Sequence, residues 1–531
     1  MSERGPVGPA RRADSGQGVD ADPLPKVTPY LLRRADDMCA RRLAASFTGT
    51  RGSDDPVNRA RLRSAFLDAA AAVHADAGPP KLDRFVAPSH LVVEERAVFD
   101  QAADWYGRFF GDRPVHLHLH DCDEPTVSPR RGVRVGGWVD LTVVGDDGIR
   151  ELRQLELWAG RPPAEDPLEL EAVWVAVLRL ARWVGDEPLR VSWTDLVRGV
   201  HRERTVAVAA VLPELSARFD ERVGVVRTRA ASADARAGND CGACTTLWRC
   251  PAHPGAIDVR APRSRRGTGA IGRPGVVRLS PTALETWGQC RRAWRNQYLL
   301  SLPASDDPGF GDHGRLLHDV LRFVHEHGSC ADAAHVASVV EGHGGDDRLR
   351  DELARHARRC PAGAATPVGH ELDLARFHRE PWPPFMATAR VDAVWLHDGV
   401  LDARDYKTGR VWYPALSEDP RAQLQAWVLA PRAAEQGSRL RLRYEYLSPD
   451  VEEDPPAWEP DREELRDVEE RLRVVVEAMR DERDFRGVAD AAVCAHCRYR
   501  SICPDRADGA TPSRATAIWP APDGALLDEP T

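Results

Sequence analysis

The chain has 531 residues, 42% hydrophobic and 29% charged, with a formal net charge of −9, the profile of ordinary globular folding rather than of a fibre or a disordered chain. It has no run of 18 apolar residues and its polar start lacks an apolar secretory core, so neither a membrane span nor a signal peptide is expected and a cytoplasmic location follows. The acidic balance excludes a protein that coats nucleic acid with its whole surface; no lysine (Lys26, Lys81, Lys407) follows a glycine, which excludes a Gly-Lys-Ser/Thr phosphate loop and ATP binding by it.

In chain order, residues 1–25 are Pro/Gly/Ser-rich and predicted to be a disordered tail. A first domain is expected over 26–253 and a second over 275–505. The linker 254–274 between them carries Arg260, Arg263, Arg265, Arg266 and Arg273. In the second domain a helix over 279–300 carries Cys290, and a second helix covers 314–326. Strands are predicted over 388–395 and 400–406, joined by the turn His397-Asp398-Gly399. A short helix over 422–429, a strand over 440–447 and a charged amphipathic helix over 462–483 follow. A cysteine-rich loop closes the domain, and 506–531 is again a predicted disordered tail. The fold class is thus α/β (α+β), each domain a small mixed sheet flanked by helices.

The two domains read as a tandem duplication. Cys241, Cys244 and Cys250-Pro251 close the first, and Cys494, Cys497 and Cys503-Pro504 close the second. A lone cysteine, Cys39 or Cys290, precedes each triplet by 202 or 204 residues, and Asp140 or Asp392 follows it by 101 or 102. Glu156-Leu-Trp158-Ala-Gly160-Arg161 then falls opposite Asp405-Tyr-Lys407-Thr-Gly409-Arg410. Landmarks in one order at a near-constant offset mark a repeat.

The chemistry lies in the second copy. Paired strands bring Asp392 near Asp405, and Asp405 and Lys407, two apart, share a strand face. Two carboxylates and an ammonium make a hard oxygen-rich site suited to Mg²⁺ or Mn²⁺ with a phosphate substrate. Lysine is used here in a chain whose other basic residues are nearly all arginine, which favours a chemical need for a compact ammonium. Glu371 is a further candidate acidic ligand. In a cytosolic protein the cysteine quartets point to metal rather than to disulfides, iron–sulfur or Zn²⁺ on ligand type alone. Cys122, Cys330 and Cys360 are left as ordinary core cysteines.

In sequence the second half resembles the RecB-like branch of the PD-(D/E)XK nucleases, which includes CRISPR-associated RecB-type exonucleases. The resemblance rests on Leu279-Ser-Pro-Thr-Ala-Leu284 before Cys290, Gly314-x-x-x-His318, Ala389-Arg-Val-Asp392 and Asp405-Tyr-Lys-Thr-Gly409. It also rests on Gln423-x-x-x-Trp427, where the family has tyrosine, and on Cys494-x2-Cys497-x5-Cys503-Pro504. It implies a metal held by His318, Asp392, Asp405 and the Tyr406 carbonyl, Lys407 serving the attacking water, and Gln423 contacting DNA. It also implies a 4Fe–4S staple on Cys290, Cys494, Cys497 and Cys503, with a second expected on Cys39, Cys241, Cys244 and Cys250; Zn²⁺ is the alternative. The first copy, with Trp158 facing Lys407 and Leu67 at the offset of His318, is expected to be inactive. The implied activity is DNA phosphodiester hydrolysis, exonucleolytic, at one active site. The alternatives are a non-catalytic DNA-binding scaffold and the nuclease subunit of a helicase–nuclease complex.

Overall fold

The structure, a computed structural model, describes residues 24–47, 57–74, 80–117, 126–128, 131–137, 139–157, 165–184, 187–232, 234–237, 241, 244, 250–253, 277–302, 312–379, 383–408, 415–448, 451 and 453–507. The expected tails (but for 24–25 and 506–507), linker and Cys122, and the expectations for Trp158, Gly160, Arg161, Gly409 and Arg410, lie outside them. No described helix is long and apolar enough to cross a membrane.

In chain order the strands are β1 (Lys26–Val27), β2 (Val115–Leu117), β3 (Thr126–Ser128), β4 (Val133–Val135), β5 (Leu141–Gly145), β6 (Arg150–Glu156), β7 (Pro188–Asp195), β8 (Val200–Ala207), β9 (Val277–Leu279), β10 (Thr366–His378), β11 (Phe385–His397), β12 (Val400–Lys407) and β13 (Arg439–Tyr446). They form a small sheet β1-β4-β3, a sheet β2-β5-β6-β7-β8, and a sheet β10-β11-β12-β13 to which β9 adds alongside β11. The fold is mixed α/β in both halves, as expected.

The second-half sheet is built by local rules. His397 pairs with Val400, so Asp398-Gly399 is a two-residue hairpin loop, and both residues have positive φ (+48° and +67°). An Asp-Gly pair meets that demand because glycine carries no Cβ penalty there. β12 then runs parallel to β13, which requires a crossover, supplied by the helix Pro420–Glu435. Asp461 caps the helix Arg462–Asp481 and Glu464 closes the capping box.

Helices cover both faces of this sheet. Phe385, Ala387, Ala389 and Val391 pack with Leu424, Trp427 and Val428 of the crossover helix. Beyond Asp392, Ala393 and Trp395 pack instead with Leu317, Val320, Leu321 and Val324 of the helix Asp312–His327. The alternation of β11 therefore changes face at Asp392.

The predicted 279–300 helix is not continuous. It is the strand β9, a helix Pro281–Gln289, a break at Cys290 in extended conformation (φ −160°, ψ 112°), and a short helix Arg291–Trp294 that runs into a π-turn Arg295–Leu299. The break turns Cys290 out of the helical repeat. Next to it the halves meet: Arg292 and Arg295 share the buried carboxylate of Glu94, and Leu300, Leu302 and Tyr499 join the cluster around Phe66 and Phe99.

Candidate active site

Three separate elements deliver the site. In β11 and β12 the register places Asp392 across from Asp405, and the Tyr406 N–H donates to Asp392 Oδ2 at 2.6 Å. The Asp312–His327 helix brings His318, whose Nδ1 lies 3.1 Å from Asp392 Oδ1 and 3.5 Å from Glu371 Oε1. Glu371 falls on β10 between the pairs His370↔Ala393 and Leu372↔Val391, across from Asp392. Its φ of +48° is unusual for a residue with a side chain, and strain of this kind collects where a side chain must be aimed.

Asp405 is held from the other side. Its Oδ2 accepts from Lys407 Nζ at 2.6 Å and from Gln425 Nε2 at 2.9 Å. The Lys407 ammonium lies 4.6 Å from the Tyr444 ring centroid, a cation–π contact, and Tyr444 donates its hydroxyl to Gln425 Oε1 at 3.4 Å. The ammonium is thus fixed by a carboxylate below and an aromatic face beside it.

The electrostatics follow from the crowding. Burial, then the neighbouring Asp405 charge, pushes the Asp392 carboxyl up. Burial also opposes charge on Asp405, but Lys407, Asp392 and Gln425 outweigh it and hold that carboxyl low. For His318 burial opposes protonation, yet hydrogen bonds to Asp392 and Glu371 raise it to about 10. The crowded carboxylates and the raised imidazole stand where a divalent cation would relieve the same charge. The set fits a hard cation.

The structure brings together His318, Asp392, Asp405, Tyr406 and Lys407, and adds Glu371. Gln423 lies elsewhere: it is fully buried and its amide donates to the Ser417 carbonyl. Gln425, two residues on and not singled out from the sequence, is the glutamine that reaches Asp405. Its signal was its spacing along the crossover helix, where 423 and 425 face different sides. Trp427 is buried and donates its indole N–H to Glu469 at 2.8 Å.

Cys290, Cys494, Cys497 and Cys503 line one hollow with Arg292, Asn296 and Tyr499. No three of these sulfurs lie within 4.8 Å of one another. In the first half, Cys241 and Cys250 are buried, Cys39 Sγ donates to the Asp234 carbonyl, and Cys241 Sγ lies 3.1 Å from His253 Nε2, a neighbour the sequence did not suggest.

The first-half sheet repeats the register but not the residues. Leu141 pairs with Arg153, so Gln154, not Glu156, stands across from Asp140, and the Leu155 N–H and Gln154 amide donate to Asp140 Oδ2 at 2.6 and 2.7 Å. Sequence alignment of Glu156 with Asp405 is therefore two residues out; Glu156 holds the place of Lys407. Arg63, one helical turn before Leu67, pairs with the buried Asp140 as His318 pairs with Asp392.

No curated protein matches the chain. Among solved structures, one described as the crystal structure of SSO0001 is similar at 12% identity, with a TM-score of 0.23, over 43% of this chain and 86% of that one. The family model described as PD-(D/E)XK nuclease superfamily matches residues 278–504. Those residues hold the site described above, and this region has the PD-(D/E)XK fold of a nuclease superfamily whose members use divalent metals.

Proposed function

We propose that the second half is a metal-dependent deoxyribonuclease of the RecB-like exonuclease kind, and that the first half is a copy of the same sheet without catalytic residues. The observation that carries this is the convergence of His318, Glu371 and Asp392 from three elements beside the Asp405–Lys407 pair. His318, Asp392, Asp405 and the Tyr406 carbonyl would hold Mg²⁺ or Mn²⁺, with Glu371 as a further carboxylate. Such an ion polarises the scissile phosphate and makes bound water acidic. Lys407, fixed by Asp405 and the Tyr444 ring, orients the attacking water and balances charge developing on the phosphate. Gln425 keeps Asp405 turned to the site.

The hollow that gathers Cys290, Cys494, Cys497 and Cys503 supports a thiolate-held centre, with an iron–sulfur cluster as our reading and Zn²⁺ as the alternative. Cys290, Cys494, Cys497 and Cys503 would hold a cluster that ties the start of the domain to its end, closing a long loop. Cys39, Cys241, Cys244 and Cys250 would hold a second. Iron analysis and the visible spectrum after anaerobic purification test this: about eight irons per chain support two 4Fe–4S clusters, and two zincs with no broad visible band refute it.

The deciding experiment is cleavage of end-labelled single- and double-stranded DNA by the full chain with Mn²⁺ or Mg²⁺. Metal-dependent release of mononucleotides or short products supports the proposal. DNA binding without cleavage in either metal would leave a scaffold, and cleavage that appears only on adding a helicase would make the chain a subunit. A single active site also predicts that strands are cut one at a time; a blunt double-strand cut in one binding event contradicts it.

A further inference from the structure

A second cluster of metal-binding side chains lies behind the active-site sheet. His325 is two turns along the helix that carries His318, so both project from the same helical face. Cys330 follows that helix, His356 lies in the last turn of the helix Asp347–Ala357, and Cys360 follows it. The spacings are His-x4-Cys and His-x3-Cys. Cys330 and Cys360 are the cysteines that the sequence left as ordinary core residues.

One donor atom from each of the four lies within 4.8 Å of all the others. His325 Nε2 is 3.1 Å from His356 Nε2 and 3.4 Å from Cys360 Sγ. A tetrahedral zinc with N ligands at about 2.0–2.1 Å and S ligands at about 2.3 Å sets its N–N edge near 3.3 Å and its N–S edges near 3.5 Å. The two separations lie close to those edges.

The surroundings orient the donors. Glu445 Oε1 lies 2.8 Å from His356 Nδ1; accepting a hydrogen bond from Nδ1–H there, it would leave the Nε2 lone pair of the neutral ring facing the other three donors. This is the carboxylate–histidine arrangement that fixes metal-binding imidazoles. Arg404 holds the other oxygen of Glu445 at 3.3 Å and Asp402 at 3.0 Å. His370 of β10, next to Glu371, stacks on His325 with ring centroids 4.8 Å apart. Around them are Leu317, Val324, Val340, Leu353 and Trp395, an apolar setting that keeps water from competing for the four donors.

We propose that His325, Cys330, His356 and Cys360 hold one structural zinc ion, which ties the helix bearing His318 to the helix Asp347–Ala357. Binding releases the thiol protons to solvent and involves no change of oxidation state. The closed set of four protein donors leaves no open position for a substrate, so the ion is structural.

The test is metal content of the full-length holoprotein by mass spectrometry of the elements, alongside the same measurement on Cys330→Ser/Cys360→Ser and on the milder His325→Gln. We expect one tightly held zinc per chain in the wild type, lost in the double variant, with iron content unchanged. Cobalt exchanged into the wild type should give the visible bands of a tetrahedral thiolate site, and His325→Gln should shift them. Zinc below a tenth of an equivalent in wild type, retention of the zinc by both variants, or a Cys330–Cys360 disulfide in non-reducing peptide mapping would each overturn the assignment. None of these readouts depends on nuclease activity.

Discussion

The two large sheets follow one plan up to the residues that do chemistry. In β2-β5-β6-β7 and β10-β11-β12-β13 alike, the pairings run antiparallel, antiparallel, parallel. Both keep a buried carboxylate, Asp140 just before the second strand and Asp392 within it, that accepts a backbone N–H from the third. Both keep an acid–arginine pair two apart on the third strand, Glu151–Arg153 and Asp402–Arg404, at 2.9 and 3.0 Å. They part at the positions around Asp140 and Asp392. Where the second half has His318, Asp405 and Lys407, the first has Arg63, Gln154 and Glu156. A buried carboxylate must be neutralised in either sheet. The first does so with the guanidinium of Arg63, and the second with the His318 imidazole beside Asp392 and the Lys407 ammonium beside Asp405, where the proposed cation would bind.

The sharpest way to break this contrast is Lys407→Ala. With Asp392, Asp405 and His318 intact, metal binding by calorimetry should persist and DNA affinity should hold within about threefold, while cleavage falls by about 10³-fold or more. Activity within tenfold of wild type would show that Lys407 does no chemistry, and the contrast between Lys407 and Glu156 would lose its meaning.

The next effect lies in the other sheet. Arg63→Ala removes the partner of Asp140, whose carboxyl is already pushed up by burial against the pull of Arg63. Breaking a buried pair costs about 3–5 kcal/mol, but Arg63 is 39% exposed, which screens the pair and lowers the expectation to about 2 kcal/mol. Urea unfolding should show it as a lower midpoint at unchanged slope, with nuclease activity retained below that midpoint. Loss of cleavage in the native protein would instead place Arg63 in the catalytic machinery.

Much of this was legible in the sequence, for physical reasons. Asp392, Asp405 and Lys407 share one surface because strand periodicity is two and the Asp398-Gly399 turn fixes the register. His318 was legible only through its motif, since a lone histidine on a helix carries no address. The strand β10, with Glu371 in a left-handed conformation, was not read as a strand. Its partly buried residues lack a clean alternation, and its place depends on pairing with β11. The first-half alignment slipped by two because Glu156 and Trp158 resemble the motif in spacing while Gln154 does not resemble Asp405 in chemistry; only the ladder decides. Cys290 was placed within a helix because helical periodicity runs through it, whereas the chain breaks there. The His-x4-Cys and His-x3-Cys pairs were in plain sight, but the helix between them hid that they meet.

The acid–arginine pairs allow a pH experiment. His74 hydrogen-bonds Tyr106 at 2.9 Å beside Arg153, and burial, then the Arg153 charge, depress its pKa from 6.5 to about 4. Unfolded chains take up that proton as pH falls below 6.5, and the folded chain does not until about pH 4. The stability this neutral imidazole represents is therefore complete above pH 6.5 and lost as pH falls toward 4, by on the order of 2 kcal/mol. Thermal unfolding of wild type and His74→Phe between pH 7.5 and 4.5 checks it. The wild-type melting temperature should fall more steeply over that range, and parallel curves would mean that His74 is protonated in the fold.

The smallest expected effect tests whether the crossover helix tunes the site. Gln425 gives Asp405 one hydrogen bond at 2.9 Å and takes one from Tyr444, so it acts on the site through Asp405. Removing a partner that orients a ligand costs about 10–100-fold in affinity or activity, and Lys407 still holds Asp405, which places Gln425→Ala at the low end, about tenfold. The loss should appear in kcat and in the Mn²⁺ concentration needed for half activity, with KM for DNA unchanged. Gln425→Glu should be worse than alanine, because it sets a third carboxylate against Asp405 and Asp392. Gln423→Ala serves as the contrast: its amide faces Ser417, so its cost should fall on stability and leave the metal requirement where it was. If the two glutamines exchange these phenotypes, it is Gln423 rather than Gln425 that the helix aims at Asp405.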